Sequence, residues 1–378
     1  SHAVLEDRGP QRWPFPRGTS SGLARLYEDL RFATDDGRAR FVPISLSTTA
    51  EKTDARFPLH LNTGRLRDQW HGMSRTGKLA HLMNHADLPA AALNPIDLER
   101  RSLKAGELVS LKSRRGAIVL PVAADPALKP GHVFVPMHWG RRRLAHAGAN
   151  ELIAATVDPY SRQPELKHGA IALVRAELPW RGVLLRQARG AAAAETALEI
   201  ESALAPFLEQ FDYASLTLCG RNEPVITLHL AAKSAPSAQL LEPILTAAGL
   251  AAAPLHYEDP SRHINKRALI EHDRLVGIAL FGETAAADWL RAAMLADQPA
   301  SPLRRLLFAP VAKAPAGQPA RGRIVCACRD VSADQIKSAI STGATDLAKL
   351  QARLPCGTGC GACVPELNRI LSGAREAA

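Results

Sequence analysis

Five of the six cysteines in this 378-residue chain lie close together near its C-terminus, between Cys326 and Cys363. They include a Cys-x-Cys pair, Cys326 and Cys328, and a Cys-x-x-Cys pair, Cys360 and Cys363, with 31 residues between the two pairs. Two close pairs can converge on one site when the chain between them folds back. Thiolates are soft ligands that suit zinc ions and iron–sulfur clusters. The spacing therefore predicts a small metal-binding module.

The residues of this module favour an iron–sulfur cluster, with a structural zinc ion and redox-active thiols as alternatives. Structural zinc sites usually have at least two residues between paired cysteines, and Cys-x-Cys departs from that pattern. Glycines at positions 357, 359 and 361 let the backbone wrap closely around sulfur atoms and direct N–H groups at them, which tunes the reduction potential of a cluster. Disulfides are not expected, because six cysteines are few for this length and the first residues do not form a secretory signal.

Composition excludes several classes of protein. Hydrophobic residues make up 46% and charged residues 22%, which is typical of a globular protein, and no apolar run reaches the roughly 18 residues of a membrane span. The net charge of +10 could attract nucleic acid, an acidic protein or an anionic cofactor. The basic residues are dispersed, aromatic residues are only 5%, and no nucleic-acid-binding motif occurs. We therefore expect a cytoplasmic protein that binds neither a membrane nor nucleic acid.

The chain divides into five segments, which together predict a multidomain α+β fold. Residues 1–55 contain too little apolar sequence to fold alone, and we interpret them as the tail of a preceding domain. Residues 56–178 are rich in turns and β-branched runs and predict a β-barrel-like domain. Residues 179–300 alternate strand-like and helix-like stretches and predict a small α/β domain with a spacer or docking role. Residues 301–322 are a Pro-rich linker, and residues 323–378 form a short helical module around the cysteines.

Three local signals predict details of these segments. The "DDG" sequence between Phe32 and Phe41 predicts a hairpin turn between two short strands. Asn94 followed by Pro95 predicts the start of a helix, with Asn94 as its N-cap. In the cysteine module, "SADQIKSAISTG" and "VPELNRILSG" predict two short helices that each end at a glycine.

The stretch "LNTGRLRDQWHGMSRTG" at residues 61–77 is the second feature that indicates a ligand. Its Thr-Gly-Arg sequence at residues 63–65 offers backbone N–H groups and a guanidinium, which can bind a phosphate in bidentate geometry. Trp70 provides a face for stacking, and Asp68 or Gln69 can hydrogen-bond to amide or amine edges. The loop therefore suits an anionic ligand that carries a nucleotide, and the alternative is an ordinary polar surface turn.

The loop resembles part of one enzyme family, the molybdenum nitrate reductases of the assimilatory type. "TGRLRDQWHGMSRTG" is similar to the C-terminal molybdopterin-dinucleotide-binding domain of that family. So are "GTSSGLARLYEDLRFATDDGRARF" before it and, after it, "NPIDLERRSLKAGELVSLKSRRGAIVLPV" and "NELIAATVDPYSRQPELKHGAI". The order of the motifs also matches, over residues 12–178. The sequence departs from the family at Gly72 and Ser74, where Thr is frequent.

The cysteine module resembles the bacterioferritin-associated-ferredoxin-like (BFD-like) 2Fe-2S module, which also occurs in nitrite and nitrate reductases. The resemblance rests on "VCACRDVSADQIKSAI" and "GTGCGACVPELNRIL" and covers residues 323–372. It implies that Cys356 is a bystander, with a substitute ligand as the alternative. The implied cluster ligands are Cys326, Cys328, Cys360 and Cys363.

The same resemblance implies a set of residues that bind the dinucleotide, and none that is catalytic. Asn150 and Lys167 would lie near the pterin. His138 is a further candidate, in a connection that is longer than usual for the family. The remaining implied contacts are Thr63, Gly64, Arg65, Leu66, Arg67, Asp68, Gln69, Trp70, His71 and Gly72.

The resemblance also implies an activity and partners. The family reduces nitrate to nitrite by two electrons at a molybdenum bis-molybdopterin guanine dinucleotide centre and binds a 4Fe-4S cluster through N-terminal cysteines. No cysteine precedes Cys219, so we expect the molybdenum and 4Fe-4S sites in N-terminal domains outside this chain, and no nitrate reduction by the chain alone. The electron donor would be a ferredoxin, a flavodoxin or an NAD(P)H-dependent reductase subunit. The alternatives are a stand-alone 2Fe-2S electron carrier and part of another molybdoenzyme, such as a formate dehydrogenase.

Overall fold

The computed structural model describes residues 2–43, 48–314 and 322–376. The chain forms two compact units, residues 1–49 and 50–378. Within the described ranges, no helix is long and apolar enough to cross a membrane.

The first unit contains one short helix, α1 (His2–Arg8), followed by turns and irregular chain. The turn predicted after Phe32 is present, since the N–H of Phe32 donates to the carbonyl of Gly37 at 2.9 Å. The two flanking strands do not form in the described part of this unit, so that part of the prediction was wrong. Phe41 and Val42, which would support the second strand, are 93% and 66% exposed and so have no core to pack into.

The second unit begins with a closed barrel of six strands. These are β1 (Leu59–Gly64), β2 (Ala91–Leu93), β3 (Leu108–Lys112), β4 (Ala117–Ala124), β5 (His132–Pro136) and β6 (Gly169–Arg175). Around the barrel the order is β1-β5-β2-β4-β3-β6, with parallel pairing between β1 and β5 and between β2 and β4. Fully buried side chains such as Leu61, Leu111 and Val133 fill the interior. The predicted barrel is confirmed.

Two helices are inserted between the barrel strands, α2 (Ala80–Met83) and α3 (Pro95–Arg100). The predicted cap of α3 is confirmed, because Oδ1 of Asn94 accepts a hydrogen bond from the N–H of Ile96 at 2.9 Å. The cap side chain also donates to the carbonyl of Leu128 at 2.7 Å, which fixes the start of α3 against the chain before β5.

Glu51 closes the barrel by joining three separate stretches of chain. Its carboxylate pairs with Arg114 and Arg115, each at 2.8 Å, in the turn between β3 and β4. It also accepts a hydrogen bond from the N–H of Ala170 in β6 at 2.9 Å. Burial raises the pKa of Glu51, but the hydrogen bonds from Arg115, Ala170 and Arg114 outweigh it and lower the pKa from its usual 4.5 to about 2.

We expect the Glu51→Gln variant to unfold at a lower temperature than the parent at pH 7 and to lose less stability in acid. Because the pKa of Glu51 is lower in the folded chain, its stabilisation is fully present above pH 4.5 and is lost as the pH falls towards about 2. Thermal unfolding recorded by circular dichroism between pH 7 and pH 2.5 checks this. Parallel pH profiles for parent and variant would contradict the assigned role of Glu51.

After the barrel, six further strands form one sheet. They are β7 (Trp180–Gln187), β8 (Tyr213–Cys219), β9 (Val225–Ala232), β10 (Leu255–Asp259), β11 (Ile264–Glu271) and β12 (Arg274–Phe281). Their order is β10-β11-β12-β7-β9-β8, and every pair is antiparallel. The predicted mixture of strands and helices is therefore present, and the structure adds that β7 pairs with β9 and β12 and not with β8, the strand that follows it in sequence.

Helices cover both faces of this sheet. α4 (Ala193–Leu204) and α5 (Ala238–Ala247) pack on the face that carries Leu184, and α6 (Ala287–Leu295) packs on the face that carries Val183. Adjacent residues of a strand point to opposite faces, so the apolar run in β7 supports two cores at once. In the described residues of the second unit, five short 3-10 helices lie in the connections: Thr76–Lys78, Ala149–Glu151, Ala205–Gln210, Pro260–Arg262 and Arg304–Leu306.

The stretch predicted as a linker, residues 301–322, begins as part of the sheet domain. Leu303 and Leu307 are each 1% exposed and belong to the core under α6. Nε1 of Trp289 donates to the carbonyl of Val311 at 2.8 Å, which ties the chain down further along. Residues 315–321 lie outside the described residues.

The C-terminal module consists of a small two-stranded sheet and three helices. These are β13 (Ile324–Cys326), β14 (Val331–Ser332), α7 (Ala333–Ser341), α8 (Leu347–Arg353) and α9 (Val364–Glu376). The predicted start of α7 is confirmed by reciprocal hydrogen bonds between Ser332 and Gln335, a capping box. The sequence reasoning missed α8, and the predicted end of the last helix was wrong, because α9 continues through Gly373.

Candidate functional site

The predicted ligand loop follows the carboxyl end of β1, beside the carboxyl end of its parallel neighbour β5. The N–H of Met137 donates to the carbonyl of Gly64 at 2.9 Å, so the chain segments that leave the two strands start side by side. A Cβ atom at position 64 would lie 2.6 Å from the ring of Phe134. Glycine at position 64 therefore leaves room for the ring of Phe134, which would have to move if this position carried a side chain.

His138 holds the loop of residues 65–72 in place. Its Nε2 accepts a hydrogen bond from the N–H of Leu66 at 2.8 Å, and its Nδ1 donates to the carbonyl of His71 at 2.6 Å, which assigns the proton to Nδ1 of a neutral ring. Burial lowers the pKa of His138, and the charge of Arg65 lowers it further, so the neutral form persists. His71 and Met73 have φ angles of 44° and 61°, a strained conformation that such contacts stabilise.

A cleft of about 370 Å³ lies between this loop and the segment that follows β5. Three of the predicted residues line it, Gly72, His138 and Asn150. The sequence reasoning did not assign four basic residues of the lining to the binding set, although the run "GRRR" after Trp139 was a visible signal: Lys78, Arg141, Arg142 and Arg143. Their positive charge makes the cleft suitable for an anionic group such as a phosphate.

Thr63 and Lys167 lie together at the end of β1. Nζ of Lys167 donates to the carbonyl of Thr63 at 2.7 Å, and Oγ1 of Thr63 donates to the carbonyl of Leu166 at 2.5 Å. Neither Thr63 nor Lys167 is among the described residues that line the cleft. The two contacts fix the chain before β6 against β1, which places the exposed lysine near the ligand loop.

The side chains of the loop point in two directions. Arg65 lies over the ring of Trp70 at 5.2 Å, and Trp70 is 54% exposed, so a flat aromatic surface faces outwards. Gln69 points inwards, where its Nε2 donates to the carbonyl of Leu82 at 3.1 Å and its Oε1 accepts from Oγ1 of Thr76 at 2.8 Å. The outer residues are thus placed for a ligand, whereas the amide of Gln69 is used to fold the loop.

Arg67 and Asp68 face the cysteine module instead of the cleft. The guanidinium of Arg67 donates to the carbonyl of Val325 and to the carboxylate of Glu366, both in the module. Its Nε also pairs with Asp68 at 3.0 Å. Sequence reasoning could not find this contact, because nearly 300 residues separate the two segments.

The four predicted cluster ligands form a series of contacts, the thiol row, in the order Cys363, Cys326, Cys328 and Cys360. Sγ of Cys328 is 3.7 Å from Sγ of Cys326 and 3.6 Å from Sγ of Cys360, and Cys326 is hydrogen-bonded to Cys363. Two thiolates on one tetrahedral metal, with metal–sulfur bonds of about 2.3 Å, lie about 3.8 Å apart. In the described part of the chain, no group of three or more His, Cys, Asp or Glu residues converges on one metal ion. Four cysteine thiolates are the ligand set that a 2Fe-2S cluster commonly uses.

The row has a buried side and an exposed side. Cys326 and Cys363 are 1% and 3% exposed, Cys328 is half-buried and Cys360 is exposed. Burial raises the pKa of both buried thiols, and the N–H of Gly357 hydrogen-bonds to each of them and opposes that rise. Gly357 has a φ of 75°, which glycine adopts without strain and which lets its N–H reach both sulfur atoms.

Cys356 lies in the core of the module. It is fully buried and belongs to the same hydrophobic cluster as Leu350 and Leu367. Burial raises the pKa of its thiol, and the charge of Cys326 raises it further. This position is consistent with the predicted bystander role, because the surroundings of the thiol are largely apolar.

Two known families match the parts of the chain that contain these two regions. Residues 59–170 match the Molydopterin dinucleotide binding domain family, a range that runs from β1 into β6 and contains the loop and the cleft. Residues 324–372 match the BFD-like 2Fe-2S binding domain family, a range that contains all four thiols of the row. The predicted cofactors, the molybdopterin dinucleotide and the 2Fe-2S cluster, are thereby confirmed.

Similar proteins include nitrate reductases. The nitrate reductase of Klebsiella oxytoca is 31% identical over 365 residues, which are 96% of this chain and 39% of that protein. The nitrate reductase of Synechocystis sp. is 38% identical over 175 residues, 45% of this chain and 24% of that protein. The F420-dependent formate dehydrogenase subunit alpha of Methanocaldococcus jannaschii is 31% identical over 163 residues, 43% of this chain and 23% of that protein.

The chain thus spans 39% of the length of the first of these relatives and 24% of the second. Among solved structures, acetylene hydratase from Pelobacter acetylenicus matches 32% of this chain and 18% of its own chain, with a TM-score of 0.27 and 17% identity, a likeness too low to support an argument. The family matches and the relatives agree with the sequence resemblance. The chain is therefore a relative of nitrate reductases that contains a molydopterin dinucleotide binding domain and a BFD-like 2Fe-2S binding domain.

Proposed function

We propose that this chain is the part of a cytoplasmic assimilatory nitrate reductase that binds a molybdopterin dinucleotide and receives electrons through its 2Fe-2S cluster. The similarity to a nitrate reductase over 96% of the chain supports the substrate. The observation that carries the proposal is the adjacency of the two sites within one compact unit. Arg67, in the loop after β1, hydrogen-bonds to the carbonyl of Val325, which directly precedes Cys326.

On the dinucleotide side, the residues around the cleft fit a ligand with phosphates and flat rings. Lys78 and Arg141 would pair with phosphate oxygens, and Trp70 would stack on a ring. His138 would act indirectly, because it shapes the loop through Leu66 and His71. The proposed binding set is Asn150, Lys167 and the loop of residues 63–72 apart from Arg67, Asp68 and Gln69, whose side chains are directed at the module or at the loop itself. No residue of the chain is assigned a proton-transfer role on nitrate.

At the cluster site, the difference in burial between the four thiols indicates the direction of electron transfer. When bound, the 2Fe-2S cluster carries single electrons and the molybdenum of the dinucleotide cofactor exchanges two electrons with the substrate. The exposed Cys360 marks the side that a donor can approach, and the donor would be a ferredoxin, a flavodoxin or an NAD(P)H-dependent reductase subunit. The buried Cys326 and Cys363 lie on the side of Arg67 and the loop. The molybdenum and a 4Fe-4S cluster would be held by N-terminal domains outside this chain.

A second candidate is a formate dehydrogenase. The 31% identity to the alpha subunit of an F420-dependent formate dehydrogenase favours it. That similarity covers 43% of this chain, less than half of the share covered by the nitrate reductase of Klebsiella oxytoca. Both candidates would bind the molybdopterin dinucleotide at the same site, and the substrate distinguishes them.

We expect the isolated chain, loaded with iron and sulfide and supplied with a chemical reductant, to form no nitrite from nitrate. A longer protein that contains this chain and the N-terminal domains should reduce nitrate and should not oxidise formate. Colorimetric detection of nitrite and dye-linked formate oxidation check the two statements. Nitrite formation by the isolated chain would overturn the proposal that nitrate reduction needs the N-terminal domains. Formate oxidation by the longer protein would favour the second candidate.

A further inference from the structure

The contacts between the ligand loop and the cluster module converge on one side chain, Arg67. Its Nε pairs with Asp68 at 3.0 Å, and its two terminal nitrogens donate to the carboxylate of Glu366 and to the carbonyl of Val325. The side chain of Arg67 is 20% exposed, so these bonds form largely away from water. All three guanidinium nitrogens of Arg67 are thus directed at protein acceptors, and two of these acceptors belong to the module.

His85 forms a second connection between the loop and the module, through the carboxylates of Asp68 and Glu366. Glu366 also accepts a hydrogen bond from Arg323 at 2.5 Å, and it lies 3.5 Å from Nε2 of His85. Nδ1 of His85 lies 3.4 Å from Asp68, so the imidazole sits between a carboxylate of the loop and one of the module. Burial raises the pKa of Glu366, but His85, Arg323 and Arg67 together lower it to about 2, so this group is charged in the folded protein.

This network adjoins the buried side of the cluster site. Val325 directly precedes Cys326, and the N–H of Glu366 donates to the carbonyl of Cys363 at 3.0 Å. The hydrogen bonds of Arg67 to Val325 and Glu366 therefore place its positive charge beside the residues that carry two of the proposed cluster thiols.

We propose that Arg67 is a positioning residue for the 2Fe-2S module and not a ligand of the dinucleotide. It docks the buried face of the module on the loop after β1, and its charge raises the reduction potential of the cluster. A positive charge favours the reduced cluster, which carries one more negative charge than the oxidised cluster. The inference rests on the four cysteines proposed as cluster ligands.

The test is a redox titration of the reconstituted chain, followed by EPR, in four variants. Arg67→Gln should shift the potential in the negative direction, Glu366→Gln should shift it in the positive direction, and Arg67→Lys should stay nearer to the parent than Arg67→Gln. Arg100→Gln is the matched control, because Arg100 is an exposed arginine on α3 and is not part of the proposed binding set. Its potential should not change.

The opposite shifts expected for Arg67→Gln and Glu366→Gln separate an electrostatic effect on the potential from a structural one. If the network only held the module in place, breaking it from either side would loosen the same contact, and both variants would shift the potential in the same direction. That result, or an unchanged potential in Arg67→Gln, would overturn the proposal. A parent chain that forms no 2Fe-2S spectrum at all would overturn the ligand assignment itself, whereas an unshifted spectrum in Arg67→Gln would leave that assignment intact.

Discussion

Replacing Cys360 with Ala should abolish the rhombic EPR signal of the reduced, reconstituted chain. The Sγ of Cys360 lies 3.6 Å from that of Cys328, a separation that two ligands of one metal would have, so the variant removes one of four metal bonds. Because Cys360 is exposed, its replacement should leave the folding of the module intact. Visible absorption and EPR spectra after anaerobic addition of iron and sulfide measure the effect, and the iron content per chain should fall with the signal.

Cys356→Ala is the matched control for this experiment. Cys356 lies only four residues before Cys360 but is fully buried among apolar side chains, so we expect the variant to keep the signal. Loss of the signal in Cys356→Ala and its retention in Cys360→Ala would show that Cys356 is the ligand. A parent protein that stays colourless and binds zinc would leave the fold unchanged but remove the proposed electron transfer.

Replacing Glu201 with Gln should lower the free energy of unfolding by about 3–5 kcal/mol, the usual result of leaving one member of a buried ion pair without its partner. Glu201 on α4 is fully buried and contacts Nη2 of Arg143 at 2.7 Å. Burial raises the pKa of Glu201 and lowers that of Arg143, and each of the two charges opposes the shift of the other. The pair joins the segment after β5 to the sheet, because the carbonyl of Arg143 also accepts from the N–H of Leu216 at 2.9 Å.

Urea unfolding followed by circular dichroism measures this effect. Glu199→Gln is the matched control, since Glu199 is an exposed residue on the same helix, and its variant should behave like the parent. The double variant Arg143→Leu with Glu201→Leu should recover most of the lost stability, because two apolar groups leave no unpaired charge. A stability of Glu201→Gln equal to that of the parent would mean that Arg143 keeps a partner, such as the carbonyl of Gly77 at 2.7 Å.

Much of the local structure could be predicted because it depends on neighbouring residues. Asn94 caps α3 through a hydrogen bond to a residue two positions away. Ser332 and Gln335 form a capping box over a similar distance. The prediction failed where distant packing decides the outcome. The turn after Phe32 formed without its strands, and α9 passes through Gly373.

The candidate sites divide in the same way. The spacing of the cysteines predicted a metal-binding module, because metal chemistry limits which residues serve and how close they stand. The family resemblance implied which four of the cysteines are its ligands. Arg67 could not be assigned, because a guanidinium near a glycine-containing turn suits a phosphate as well as a carboxylate. In the structure, Arg67 donates a hydrogen bond to the carboxylate of Glu366, which lies 299 positions further along the chain. Likewise, the basic lining of the cleft became evident only when the segment after β5 was placed beside the loop after β1.

The sequence by itself determined which chemistry the chain carries, namely thiolates for a cluster and a loop suited to an anionic nucleotide. Only the tertiary structure decided how the two are arranged. It placed the buried side of the thiol row against the loop and left Cys360 exposed on the other side. The physical reason is that ligand chemistry belongs to side chains and short spacings, whereas adjacency comes from long-range burial and ion pairing. Those contacts form only when the barrel, the sheet and the module pack together.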